Sequence, residues 1–357
     1  MKILFSGGGT LGPVTPLLAI KDVIEEWNRH TKFFWIGTKN GPEETLVAEH
    51  GIPFQAIPAG KFRRYFSFLN LFDIVRVVAA FFKALRILLR EYPDLCISAG
   101  GFVSVPVHAA AWFLGIPTWV HQQDVDVGLA NRLMVPYATI ITTSLAGTVA
   151  RFPKRKTMWL GNPVRKEIFE GNKARAKKIF NLSGKLPVVL VMGGGTGSLR
   201  INQLIAEAVP HVVEHAEIIH LSGRERPQEM VTKTAELFPN YHVYQFLVSE
   251  MKDAYAAADI IVCRGGFGTL TEAAALEKPC IIIPKPGHQV DNVRFLDHGG
   301  AAILVNETTT DGLYVAKKIR ELLGNPHGAE LLAHTMHEIL KTASSKDIVK
   351  ICEHVIK

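Results

Sequence analysis

The chain has 357 residues, beyond the roughly 250–300 at which a single hydrophobic core stops growing, so two domains are expected. Hydrophobic residues make up 48% and charged residues 20%, which excludes a disordered chain. The formal net charge of +7 suits nucleic acid, anionic lipid or phosphorylated small molecules and chooses among none of them.

In chain order, Lys2 to Ser6 reads as a short buried strand, residues 7–12 as a glycine turn, and Pro16 to Trp27 as a helix by its apolar spacing. No signal-peptide pattern precedes the first strand. Phe33 to Gly37 is the next strand and Glu43 to Glu49 the next helix. Residues 95–120 carry no acidic, lysine or arginine side chain, and their length alone would suggest a membrane span. Gly100, Gly101, Pro106, Gly115 and Pro117 instead divide them into strand, turn, helix and strand, as in a parallel sheet covered on both faces. The cysteines Cys96, Cys263, Cys280 and Cys352 lack CxxC spacing and are expected to be buried free thiols in a reducing compartment.

The second half opens like the first. Val188 to Met192 followed by glycines 193–195, Thr196 and Gly197 aligns with Ile3-Leu4-Phe5-Ser6 and glycines 7–9 at a constant offset of 186 residues, which implies two similarly built domains. Further strands are expected near Glu217 to Leu221, His242 to Gln245, Ile260 to Cys263 and Cys280 to Pro284. Helices are expected over Arg200 to Val209, Met251 to Ala257, Leu270 to Leu276 and Asn292 to Asp297. A linker is expected within residues 161–187, and residues 344–357 read as a helix whose packing the sequence leaves open. The domain boundaries that follow are 1–163, 164–340 and a C-terminal helix in 341–357.

Glycines between a buried strand and a helix allow close backbone approach, and the helix start aims unpaired N–H groups and positive dipole at the turn, so each loop can take a phosphate. Neither loop has the lysine of a Walker motif or a clean dinucleotide spacing. A third loop, Arg264-Gly265-Gly266-Phe267-Gly268-Thr269-Leu270-Thr271-Glu272, also follows a strand and opens a helix. Glu272 reads either as a helix-start carboxylate favoured by the dipole or as an acceptor for ribose hydroxyls. The polar run Pro286-Gly287-His288-Gln289-Val290-Asp291-Asn292 follows a strand and reads as part of the same site.

From Lys61 to Arg90, seven Lys or Arg residues and one Asp are interleaved with a surplus of aromatic and aliphatic side chains. A peripheral membrane surface, a protein interface, an aromatic acceptor groove and a long helix packed entirely inside are the open readings. No RNA-recognition motif, helix-turn-helix or zinc spacing accompanies the positive charge, so nucleic acid is not expected as a partner.

Taken together these motifs resemble the MurG family of UDP-N-acetylglucosamine-dependent N-acetylglucosaminyl transferases. The matching residues are Gly8-Gly9-Thr10 with Pro16, Gly100-Gly101-Phe102-Val103-Ser104-Val105-Pro106, and His121-Gln122-Gln123-Asp124 with Gly128-Leu129-Ala130-Asn131. They continue with Gly161-Asn162-Pro163-Val164-Arg165, Gly193-Gly194 with Gly197 and Asn202, then Arg264, Gly266, Thr269 and Glu272, and His288-Gln289 with Asn292. The resemblance implies a GT-B fold, two Rossmann-like α/β domains whose parallel sheets face a central cleft. It implies an inverting transfer of GlcNAc from UDP-GlcNAc to the undecaprenyl-linked acceptor lipid I, giving lipid II, with no cofactor and no essential metal. The site would be peripheral to the cytoplasmic face of the cell membrane, with residues 61–90 against the anionic inner surface. By position, Glu272 would hold the ribose and Arg264, Gly266 and Thr269 the nucleotide. Arg165, Gly194, Gly195, His288, Gln289 and Asn292 would complete the donor site. Gly9, Thr10, Leu11, Gly12 and Asn131 would face the acceptor.

Three motifs depart from the family pattern. Pro13 stands where the family has a histidine proposed as base, Gln122 where it has a glutamate, and Gly195 where it has a serine. Asp124 is therefore the first candidate for general base, with His121 and Asp126 behind it; a helix cap is the competing reading of Asp124. Another lipid acceptor, or nucleotide-sugar binding without turnover, remain the alternative functions.

Overall fold

The computed structural model describes residues 1–58 and 69–356. These divide into two compact units, residues 1–165 with 342–357, and residues 166–341.

The first unit runs β1 (Lys2–Ser6), α1 (Thr15–Trp27), β2 (Lys32–Thr38), α2 (Glu43–Glu49), β3 (Phe54–Ile57), α3 (Leu69–Glu91), β4 (Leu95–Ser98), α4 (Ser104–Phe113), β5 (Thr118–Gln122), α5 (Leu129–Met134), β6 (Ile140–Thr143) and β7 (Thr157–Trp159). Its sheet has the order β3-β2-β1-β4-β5-β6-β7, and every pairing is parallel. Successive side chains of a strand point to opposite faces. Ile3, Phe5, Trp35 and Ile97 accordingly enter a core with Leu17, Ile20 and Ile24 of α1, whereas Leu4, Ile36 and Cys96 enter another with Ala84 and Leu88 of α3 and Val107 of α4. Both faces are dry, which is why residues 95–120 lack charge without crossing a membrane; no described helix is long and apolar enough to do so.

The second unit runs α6 (Lys173–Ile179), β8 (Val188–Met192), α7 (Leu199–Ala208), β9 (Glu217–Leu221), α8 (Glu229–Leu237), β10 (Tyr241–Tyr244), α9 (Met251–Ala257), β11 (Ile260–Cys263), α10 (Phe267–Ala275), β12 (Cys280–Ile282), α11 (His288–His298), β13 (Ile303–Leu304), α12 (Gly312–Leu323) and α13 (Pro326–Ile339). Its parallel sheet has the order β10-β9-β8-β11-β12-β13. Strand for strand, β3-β2-β1-β4-β5 and β10-β9-β8-β11-β12 are the same arrangement, so the offset between the two glycine loops reflects a repeated topology.

Two segments fold differently from their sequence reading. The expected linker contains α6, and Asn172 caps its start by accepting from the Arg175 N–H at 2.9 Å. Asp253 of α9 then accepts from the Asn172 N–H at 2.8 Å and from Arg175 Nε at 2.7 Å, which ties this polar stretch to the second unit. Helix α11 begins four residues before its expected start, because Gly287, at φ 115°, turns the chain directly into it.

The last helix, α14 (Ser345–Val355), belongs to the first unit. Asn162 and Thr342 form a parallel bridge, and the Ala343 N–H donates to the Asn162 carbonyl at 2.9 Å. Ile348, Ile351, Cys352 and Val355 fill the core beside Leu17 and Ile20. All four cysteines are buried and free. Replacing Ile351, 3% exposed, with Ala is expected to destabilise the first unit by roughly 2–4 kcal/mol. Urea unfolding followed by the fluorescence of the buried Trp35 and Trp119 measures it.

Candidate functional site

In an open parallel sheet, ligands bind beyond the carboxyl ends of the strands, where the strand order reverses direction. That point falls between β1 and β4 in the first unit and between β8 and β11 in the second. The glycine loops lie at these two places.

In the first unit the loop from Gly7 to Pro13 follows β1. The Gly7 carbonyl accepts from Trp35 Nε1 at 2.9 Å and the Gly9 N–H donates to Glu43 Oε2 at 3.1 Å. Gly9 has φ 83°, and a Cβ there would strike the Phe102 ring. Gly101, at φ 93°, lies so close to the Gly8 backbone that a Cβ there would come within 2.9 Å of the Gly8 oxygen. Ser104 Oγ, with one proton to give, lies 2.9 Å from the Ser6 carbonyl oxygen and 3.0 Å from that of Gly100, closing the second loop onto the first. Thr10 and Gly12 are exposed and Leu11 is half-buried.

Asn131 is 4% exposed and reaches the same corner from α5. Its Nδ2 donates to Gln122 Oε1 at 2.7 Å and to the His121 carbonyl at 3.3 Å. Its Oδ1 is buried without a partner and lies near Gly100. Gln122 in turn donates from Nε2 to the carbonyls of Asp124 at 2.8 Å and Asp126 at 3.0 Å. Asp124 is half-buried on this loop. It does not cap the next helix, whose N-cap is Gly128. Asp126 is paired with Arg151.

His121 is fully buried. Its Nδ1 meets Thr142 Oγ1 at 2.8 Å, and its Nε2 lies 3.1 Å from both Asn162 Oδ1 and Ser144 Oγ. Burial pushes its pKa down to about 4. It is brought near Asp124 in sequence but its ring is enclosed in a hydrogen-bonded cluster of β5, β6 and the chain after β7.

In the second unit, Gly194 (φ 85°) and the exposed Gly195 form a turn closed by the Gly197 N–H donating to the Gly194 carbonyl at 2.9 Å. Gly197 and Gly223 lie backbone to backbone, so that a Cβ on either would overlap the other. Ser198 caps α7 through the Ile201 N–H and also receives a hydrogen bond from Arg264. Arg264 further donates to the Ile283 carbonyl at 3.0 Å and is ion-paired with Glu307. Its charge is therefore shared with a carboxylate that the sequence reading missed.

Gly266 caps α10, and the first-turn N–H groups of Phe267, Gly268 and Thr269 precede that helix's own ladder. Glu272 lies in the second turn rather than the first, and is 7% exposed. The dipole reading thus loses its basis. Tyr255 OH donates to Glu272 Oε2 at 2.9 Å, holding one carboxylate oxygen. Asn292 Nδ2 donates to the Gly265 carbonyl at 3.4 Å, and Gln289 Oε1 accepts from the Lys285 N–H at 3.0 Å, so the start of α11 is brought against the Arg264 to Gly266 loop. His288 is the first residue of α11. Arg165 is the last residue of the first unit before the chain enters the second, to which the other donor candidates belong. No group of metal-ligating side chains occurs among the described residues.

The basic stretch is described only from residue 69 onward; Lys61, Phe62, Tyr65 and Phe66 lie outside the described residues. Ala80, Ala84, Ile87 and Leu88 of α3 pack inside, but Val75, Val78, Phe82 and Leu89 are exposed, Phe82 by 62%. The reading in which every apolar side chain of this helix packs inside is therefore excluded. Trp112 and Phe113 at the end of α4 are also exposed, and Phe113 meets Phe81 edge-on with ring centroids 6.4 Å apart.

Two Rossmann-like parallel sheets, each with a glycine loop at its switch point, are the architecture of the GT-B fold class. The same fold is seen in the crystal structure of Acinetobacter baumannii MurG, with a TM-score of 0.72 and 23% identity over 99% of each chain. A UDP-GlcNAc 2-epimerase from Neisseria meningitidis gives 0.69 and 16%, covering 99% of this chain and 100% of that one. The glycosyltransferase family 28 N-terminal domain matches residues 3–143 and the family 28 C-terminal domain residues 188–351. A UDP-N-acetylglucosamine–N-acetylmuramyl-(pentapeptide) pyrophosphoryl-undecaprenol N-acetylglucosamine transferase of Lachnospira eligens is 34% identical, covering 91% of this chain and 92% of that protein. One of the same name from Shouchella clausii is 39% identical, covering 87% of each. The chain belongs to this MurG family of family 28 glycosyltransferases.

Buried neutral histidines give the molecule an acid limit. His121, at about 4, and His108 and His220, each at about 3, all fall below the ordinary 6.5 because of burial. Between these values and 6.5 the unfolded chain binds protons that the folded chain refuses. Stability is therefore expected to hold above pH 6.5 and to fall as the pH drops, by about 2 kcal/mol per histidine at pH 5. Urea midpoints at pH 7 and pH 5 measure the loss, and the His121 imidazole signals should stay unshifted in NMR spectra across that range.

Proposed function

We propose that this chain is an inverting transferase that moves GlcNAc from UDP-GlcNAc to lipid I, forming lipid II for peptidoglycan synthesis. The observation that carries the reading is agreement over about nine-tenths of the chain with curated proteins of that activity, with glycine loops at both switch points. The second unit takes the donor. Glu272, with one oxygen held by Tyr255, accepts from the ribose hydroxyls, while Gln289, Asn292 and His288 serve the sugar and diphosphate. The first unit takes the acceptor, whose diphosphate meets the Thr10 to Gly12 loop and Asn131.

The acceptor hydroxyl attacks the anomeric carbon as its proton passes to a base, and the bond to UDP breaks in the same step. Pro13 has no group that can take the proton. His121 is enclosed and resists protonation. Asp124, half-buried on the loop held by Gln122, is the base in this reading. The charge that develops on UDP is met by the first-turn amides of α7 and α10, which need no reorganisation as the bond breaks. Arg264 contributes less free charge, since it is paired with Glu307, and acts mainly by joining the two loops through Ser198 and the Ile283 carbonyl.

The exposed face of α3 supports a peripheral contact with anionic lipid, where a carrier-bound acceptor resides. Phe82 and Val78 can enter the interface while Lys83, Arg86 and Arg90, all exposed, remain among the head groups.

The deciding assay is turnover of labelled UDP-GlcNAc with a short-chain lipid I analogue. Formation of lipid II is expected. Donor binding without turnover on this acceptor would refute the reading. Glu272→Ala is expected to weaken UDP-GlcNAc binding, and Asp124→Asn to lower kcat by roughly 10²–10⁴-fold with the donor Kd retained. A rate within a few-fold of the parent would remove Asp124 from the role. Phe82→Asp combined with Lys83→Glu is expected to weaken sedimentation with anionic vesicles about tenfold or more, leaving turnover of the soluble analogue in place. Unchanged vesicle binding would remove this face from the contact.

A further inference from the structure

Glu43 is the one described carboxylate that is completely buried against a glycine loop, and no proposed step has used it. It opens α2 and is 0% exposed. Oε1 accepts from the Thr38 N–H at 2.7 Å and from the Thr38 hydroxyl, and Oε2 accepts from the Gly9 N–H at 3.1 Å. No lysine or arginine is paired with it among the described residues. Burying a carboxylate without a cation is costly unless several donors converge on it, and here three do.

The backbone around it is shaped to admit the group. A Cβ on Gly8 or Gly41 would overlap the carboxylate, and one on Gly37 would come within 3.2 Å of Oε1. Three glycines, Gly8 on the loop after β1, Gly37 in β2 and Gly41 before α2, leave room for one side chain. Gly101 also lies against the Gly8 backbone, and the Phe102 ring covers Gly9. The Gly8–Gly9 peptide is thus enclosed by Gly101, Phe102 and Glu43, with its N–H committed to Glu43. The N–H groups of Thr10, Leu11 and Gly12 have no acceptor among the described residues. Gly9 is therefore not a free phosphate donor, and the anion-binding capacity of the loop falls to the three residues after it.

We propose that Glu43 is a positioning residue for acceptor binding: by fixing the orientation of the Gly8–Gly9 peptide it sets the direction in which the Thr10, Leu11 and Gly12 amides meet the acceptor diphosphate. The proposal rests on the acceptor assignment of this loop made above. It acts through backbone geometry and requires no contact between Glu43 and substrate. A carboxylate suits the place because it only accepts. A glutamine of the same size would turn an NH₂ group toward the Gly9 N–H or toward Thr38, and one hydrogen bond would be replaced by a donor–donor conflict.

The test is Glu43→Gln in the full chain, read in two ways. Steady-state kinetics with the short-chain lipid I analogue should show the acceptor KM raised roughly tenfold, the order expected for losing one charge-assisted hydrogen bond, with the donor KM unchanged. Hydrogen exchange of the Gly9 amide should quicken in the variant while the amides of β8 and α7 exchange as in the parent. Thr38→Val removes one donor to Glu43 and keeps the Thr38 N–H; it should shift both readouts in the same direction by less, and carries the test if Glu43→Gln does not fold. An unchanged acceptor KM, or equal increases in both substrate constants, would overturn the proposal. If the parent itself does not turn over lipid I, the function reading fails, and the exchange rate of Gly9 still decides whether Glu43 holds the loop: parental exchange in both variants would overturn that as well.

Discussion

The structure depends on backbone meeting backbone at the carboxyl ends of two parallel sheets. At the first switch point, Gly101 lies on Gly8; at the second, Gly197 lies on Gly223. In each case a single Cβ would separate loops that must touch, and separating them would pull a helix N-terminus away from the place where an anion can bind. Glycine here is required by contact, in addition to the left-handed φ that Gly9, Gly101, Gly194 and Gly197 adopt. The repeated strand order places the same contact in both units, which explains why two stretches 186 residues apart look alike while the rest of the two halves does not.

These close contacts also sort the polar side chains. Where backbone is packed against backbone, its N–H and C=O groups need partners at fixed positions. Ser104 and Trp35 supply them in the first unit. Ser198, Arg226 and Asn202 supply them in the second, Arg226 Nε donating to the Gly197 carbonyl at 3.2 Å and Asn202 Nδ2 to the Ser222 carbonyl at 3.0 Å. A guanidinium such as Arg264 then has two uses for one charge. It joins loops by hydrogen bonds, and its pairing with Glu307 reduces what it can offer a phosphate. The first-turn amides of α10, and those of α7 other than the Ile201 N–H that Ser198 caps, remain available because a helix cannot satisfy its own first turn.

Much of this was legible in the residues because parallel strands buried on both faces are continuous apolar runs. Val188 to Met192 and Ile260 to Cys263 could hardly be anything else, and the glycines after them mark the turns. Other features were not legible, for a common reason: their causes lie far apart in the chain. Glu43 reads as an ordinary helix-start carboxylate until it is found 34 residues from Gly9 in sequence and 3.1 Å from it in space. Glu307 is 43 residues from Arg264, and Tyr255 is 17 from Glu272. The helix inside the expected linker range was not legible because α6 is polar and has no amphipathic face long enough to announce itself; its partner is Asp253. The C-terminal helix was legible as a helix from its apolar spacing, yet nothing local could say that it returns to the first unit.

The loop after β5 shows how one departure from the family pattern can make sense of another. The family's glutamate is replaced by Gln122, and its neighbouring position 124 carries an aspartate. Gln122 donates to the carbonyls of residues 124 and 126 and accepts from Asn131. A carboxylate at 122 could accept from Asn131, but it would face two carbonyl oxygens with nothing to donate. This loop therefore requires an amide at 122 in order to hold the shape it has. A carboxylate needed at this corner must stand elsewhere, and Asp124 lies on the segment whose shape the amide maintains. The two changes are consistent as a pair: one residue shapes the loop and the other supplies the charge. Neither change disturbs His121, which lies beneath the loop with Thr142, Ser144 and Asn162 and whose contribution is to the packing of β5 against β6.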